Sequence, residues 1–289
     1  MQSFFLLVAL LLHPAAAALA SSTDKFARAI STANKKRPIV VHLWDPNPSE
    51  LTDFAIDDVS EACRKAGAAA ILCQAALTSS ISKEQEAQRG NFPGPLPIIV
   101  DCALKDLDAE TCAGAKTLGA AAVGIRYYKG DYDSDGALEE ALQSSIAAAE
   151  EAGLGAILLG EFGADGDEGV DGASGLASRF GAAAGLTKSA EEDGVALGCW
   201  DGSEQELQRL RGAGFAGLVL KNACQGDIAW GSRTKQPSLA AQALTKLIKA
   251  ALSKGDKSIW GGAGGVNEAS GEGSMESYFN RDNQPGRVR

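Results

Sequence analysis

Aromatic side chains are scarce in this chain, 6% of 289 residues, and methionine and histidine number two each. A core poor in rings must be built from aliphatic and small residues packed in layers, which suits helices lying on a sheet. The six cysteines contain no C-x-x-C pair. That spacing argues against a disulfide framework and leaves the thiols as small core residues or free groups. No G-x-G-x-x-G follows the first apolar run, so an open dinucleotide-binding sheet is disfavoured. Residues 1–20 carry no charged side chain, so the net charge of −10 falls on the remainder. A surface this acidic repels phosphate backbones and anionic membranes, and nucleic acid is not an expected partner.

What is present begins with an address. The apolar block at 4–12 is short for a bilayer span and is followed by Ala18-Leu19-Ala20, a small-residue cleavage pattern, so 1–20 reads as a signal peptide. With that segment removed, no transmembrane helix is expected. Residues 21–37 set Lys25, Arg28, Lys35, Lys36 and Arg37 against one acid, Asp24, among hydroxylated residues. A signal followed by such a segment resembles the bipartite presequence of plastids of secondary origin, which would place the protein in a plastid stroma; plain secretion with a basic linker is the alternative.

From residue 38 the pattern repeats. Four helix-like segments end in a glycine turn and pass into a short apolar run: Lys65–Leu72, Leu118–Ile125, Ala152–Leu159 and Ala213–Leu220. Glycine stops a helix by entering the left-handed region, and the runs are too short to be buried helices, so each junction opens a strand. Strands are predicted at 38–44, 69–74, 96–102, 120–127, 155–161, 194–200 and 216–221, with helices between them. Alternation of this kind makes a parallel sheet, and the expected fold class is α/β, a (β/α)8 TIM-type barrel over 38–260. The eighth strand belongs either near Ala182–Thr187 or at Ser258-Ile259-Trp260. Residues 261–273 read as a glycine-rich linker. The aromatic-bearing tail 274–289 is either a docking motif for a protein complex or a frayed end.

Three stretches carry a family likeness: His42-Leu43-Trp44-Asp45-Pro46-Asn47-Pro48-Ser49, Gly67–Gln74 and Leu96–Ala103, followed by a gapless run from Leu197 to Lys221. Together they resemble indole-3-glycerol-phosphate synthase, a (β/α)8 lyase of tryptophan biosynthesis, over roughly 38–225. The gapless run makes 216–221 strand eight and so favours 182–187 for the missing strand. The resemblance implies an active site at the carboxyl ends of the strands and a sugar-phosphate or anthranilate-derived ligand. Its catalytic residues are mostly replaced. The family's first-strand glutamate falls on His42, its first-strand lysine on Trp44, and its third-strand lysine, the general acid of ring closure, on Asp101. The fifth-strand glutamate falls on Glu161 or, without a gap, on Leu159. Ser49, Gly202, Lys221 and Asn222 remain as ligand or phosphate contacts. The resemblance thus implies a synthase-like scaffold whose mouth has lost the family's ammonium groups, a pseudoenzyme serving as a binding or structural subunit. An active lyase using Glu161 and Lys221 is the alternative.

Independently of the family, strand alternation turns His42, Trp44, Gln74 and Asp101 toward one mouth. His42 and Asp101 there are either a general base with its orienting partner or a structural pair. Asp131, Asp133 and Asp135, followed by Gly136, match the opening of a calcium loop, but position twelve is Leu142 rather than glutamate, and a helix-capping loop is the competing reading. No cofactor and no other metal is expected.

Overall fold

The structure is a computed structural model, and it describes residues 26–30, 37–161, 172–190, 193–221, 223 and 237–253. The signal peptide, the tail 274–289 and Asn222 lie outside the described residues, as does the alternative strand at 258–260. Eight parallel strands close into a barrel in sequential order. They are β1 (Ile39–Leu43), β2 (Ala70–Cys73), β3 (Ile98–Ala103), β4 (Ala122–Arg126), β5 (Gly155–Gly160), β6 (Ala184–Leu186), β7 (Ala196–Trp200) and β8 (Gly217–Leu220). The eighth strand of the sequence reading is β6, at 184–186, and β8 pairs with β1 to close the ring.

The described helices are α1 (Asp53–Ala66), α2 (Ala75–Ala87), α3 (Ala109–Thr117), α4 (Asp135–Glu151), α5 (Ala173–Phe180), α6 (Glu204–Gly212) and α7 (Pro237–Leu252). Their starts are written in the sequence. The side chains of Thr52, Asp108, Ser134 and Ser203 accept hydrogen bonds from backbone N–H groups of the first turns of α1, α3, α4 and α6, each worth about 1 kcal/mol. Helix α1 buries Ile56, Val59, Cys63 and Ala66 along one stripe and ends at Gly67.

Alternation along each strand sorts the side chains into two shells. Outward residues such as Val41, Leu43, Ile71, Cys73 and Trp200 pack with α1, α2, α6 and α7, while Val100, Cys102, Val123 and Ile125 pack with α3 and α4. Inward residues form a separate cluster: Val40, Ala70, Leu72, Ile99, Ala122, Ile157, Leu159, Ala184, Leu186, Leu197, Cys199 and Val219. Small residues on some strands face large ones on others, which is how a barrel this narrow fills its centre.

The amino-terminal end of the barrel has its own cover. Residues 26–30 are helical, and Phe26 and Ile30, at 1% and 0% exposure, belong to the inner cluster. A Cβ on Gly155 would lie 2.3 Å from the Phe26 ring, so the ring occupies space that the first residue of β5 leaves open.

Candidate functional site

The inward series on each strand ends at the carboxyl-terminal mouth, and the residues arriving there differ by strand parity. His42 on β1 is buried at 2% exposure, and Trp44, two residues on, is half-buried. Gln74, at the end of β2, ties the first two βα loops together: its Oε1 accepts from Asp45 N at 2.9 Å and its Nε2 donates to Asp45 O at 2.9 Å. Asp45 in turn accepts from Asn47 N through Oδ1 at 2.7 Å, fixing the turn that leads to exposed Ser49.

Asp101 on β3 is 7% exposed at its side chain and accepts a hydrogen bond at 2.6 Å from Nε of Arg126, the last residue of β4. Burial pushes the Asp101 carboxyl above its ordinary range, and the neighbouring guanidinium pulls it back in part. For Arg126 burial acts downward, but the Asp101 carboxylate and the Tyr128 hydroxyl outweigh it and the group is held more firmly protonated than usual. Arg126 therefore stays cationic at any physiological pH.

A local irregularity lies opposite this arginine. The β4–β5 register runs Ile125 with Leu158 and then Arg126 with Gly160, skipping Leu159, so β5 carries a bulge there. Gly160 has φ +57°, a left-handed conformation that side chains rarely take, and its carbonyl accepts from Tyr127 N at 3.1 Å. A bulge bends its strand and re-aims neighbouring side chains, and such features gather near functional sites.

Further round the ring, Glu161 directly follows β5 and Lys221 directly follows β8, and both are half-buried. Gly202, at φ +91°, sits in the β7–α6 turn, where Trp200 Nε1 donates to Ser203 O at 2.8 Å and Ser203 N donates to Asp201 Oδ1 at 2.8 Å. The sequence-predicted residues His42, Trp44, Asp101, Glu161, Gly202 and Lys221 thus all lie at the carboxyl ends of the strands. Asp131, Asp133 and Asp135 are exposed and belong to the 3-10 turn Lys129–Asp131 and the capped start of α4. Among the described residues no three His, Cys, Asp or Glu side chains converge as a metal site would require.

No family model matches the chain. A search of curated proteins also finds no match. Solved structures similar to it include the deoxyribose phosphate aldolase from Aeropyrum pernix, 12% identical, covering 80% of this chain and 97% of that one with a TM-score of 0.50. A 3-hexulose-6-phosphate synthase is 15% identical over 73% of this chain and 99% of that one, TM-score 0.46. The N-acetylmannosamine-6-phosphate 2-epimerase from Clostridium perfringens is 12% identical over 67% and 88%, TM-score 0.44. At these identities the likeness is one of fold, a closed (β/α)8 barrel.

Two site residues escaped the sequence reading. Arg126 lies within a stretch read only as strand, and Lys188 follows the three-residue β6. Leu186 is inward, so Lys188, two residues on, continues the inward parity at the exposed rim. Arg126 at the end of β4 and Lys188 and Lys221 in the turns after β6 and β8 thus alternate round the ring with Asp101 on β3 and with Glu161 and Asp201 in the turns after β5 and β7. The two positions where the resemblance implies lysines remain Trp44 and Asp101, and the cations near the mouth come from other strands. Once the structure shows that Ala122 and Ala184 face inward, counting by twos reaches both cations.

Proposed function

We propose that this protein is a (β/α)8 binding or structural subunit on a scaffold like that of indole-3-glycerol-phosphate synthase, without that enzyme's ring-closing activity. Its mouth holds a small anionic ligand, such as a sugar phosphate or an anthranilate-derived acid. The carrying observation is the Asp101–Arg126 pair, 2.6 Å apart, at the strand-three position where the resemblance implies a lysine acid. Protonating a substrate carbonyl requires a group that holds a proton at working pH and then gives it up. Arginine does not give its proton up, and Asp101 already accepts a hydrogen bond from it. A plastid presequence at the amino terminus fits a scaffold of amino-acid biosynthesis.

The purified protein should form no indole-3-glycerol phosphate above the uncatalysed rate. Turnover comparable to that of an ordinary synthase would overturn the reading. The rim positions of Lys188 and Lys221 favour a second reading, an active lyase using one of these ammonium groups, and the same assay decides between the two.

A further inference from the structure

We infer that Arg126 is the anchor of an oxyanion site at the barrel mouth, binding a carboxylate or phosphate group of a small molecule, and that Asp101 is its positioning residue. This rests on the reading of the mouth as a ligand site but adds the group that does the binding, which lies outside the residues the family resemblance supplies.

Three independent features converge on this side chain. The first is exposure: Asp101 is 7% exposed and Arg126 30%, so the pair is closed on the carboxylate side and open on the guanidinium side. The second is orientation. Asp101 takes the Nε edge. A guanidinium has five N–H donors in a planar fork, more than this one partner takes, and a carboxylate or phosphate fits its Nη edge in bidentate fashion. The third is backbone geometry. The register shift falls between the Ile125 and Arg126 pairings, with the extra residue on β5, and the residue opposite Arg126 is Gly160 in a left-handed conformation. Such a departure from regular pairing raises local cost and persists where surrounding structure enforces it, commonly at ligand sites. Here it lies directly across from the guanidinium-bearing residue.

Charge at the rim is balanced: Arg126, Lys188 and Lys221 stand against Asp101, Glu161 and Asp201. Recognition of an anion therefore rests on the guanidinium fork, whose planar donors match an oxyanion, and not on net charge.

The test is calorimetric titration of the full chain with inorganic phosphate in one arm and malonate in the other, each against a chloride background. Saturable binding of either anion is expected, and the preferred arm names the oxyanion. Arg126→Lys keeps the charge but loses the fork, and should weaken the preferred anion by about tenfold or more. Asp101→Asn should weaken it less and be partly compensated by higher anion concentration, as a positioning role implies. If Arg126→Met unfolds because a buried carboxylate loses its partner, the double variant Asp101→Asn with Arg126→Gln removes both charges, and it should fold yet fail to bind. Absence of saturable binding to wild type in both arms, or unchanged affinity in Arg126→Lys, overturns the inference. Indole-3-glycerol-phosphate turnover with Arg126-dependent anion binding would instead overturn only the preceding reading.

Discussion

At the scale of the residue, the thiols show how position decides chemistry. Cys63, Cys73, Cys102, Cys112 and Cys199 are all buried. Burial pushes Cys73 and Cys102 up to about 12, the hydroxyl of Thr78 acting in the opposite direction on Cys73. A folded-state value above the unfolded one means that the neutral thiol contributes stability below about pH 8.5, lost as pH rises toward 12. Ellman's reagent at pH 8 should therefore label Cys73 and Cys102 in the native protein orders of magnitude more slowly than in urea, and rapid native labelling would contradict their placement. The sequence showed that these cysteines are spread through apolar runs, which is enough to read them as core. It did not show that the carboxylate of Asp101 answers to a guanidinium one strand away, because a single arginine at the end of a strand looks the same whether it turns out or in.

Elements were more legible than side-chain partners. The starts of β2, β4, β5 and β8 could be found because each follows a glycine-stopped helix, a signal that depends only on local backbone freedom. β6 also follows such a glycine, Gly181 at φ +86°, but it is three residues long and lies among alanines, where neither length nor alternation separates strand from helix. Only its place relative to β7 and β8 identified it. Packing explains how so short a strand stays in register. A Cβ on Gly185 would fall 2.3 Å from the carbonyl oxygen of Ala173 and 2.5 Å from the nitrogen of Ser174, so α5 rests directly on the β6 backbone. Because those obstacles are main-chain atoms, no rotamer change relieves them. Gly185→Ala should lower the stability of the fold by about 2–3 kcal/mol in urea titrations. An effect within a few tenths of a kcal/mol would mean that α5 is not seated on β6.

For the whole molecule, the charge pattern and the closed ring were both within reach of the sequence, whereas the cover at the amino-terminal end was not. Residues 21–37 were read for their basic, hydroxylated composition, and that bias concealed Phe26 and Ile30, spaced four apart as one face of a helix turn. The two side chains complete the inner cluster. A chain beginning at residue 38 should melt well below one beginning at residue 21, with a loss of roughly 3–5 kcal/mol from the phenylalanine alone. Equal melting temperatures for the two chains would show that the cover is dispensable. Among the described residues no helix is long and apolar enough to cross a membrane.

The contact between Phe26 and the first residue of β5 also sets an order of events. During synthesis Phe26 emerges first, but its seat against Gly155 is made only after half the ring has followed, so this contact pairs the start of the described chain with its middle and closes late.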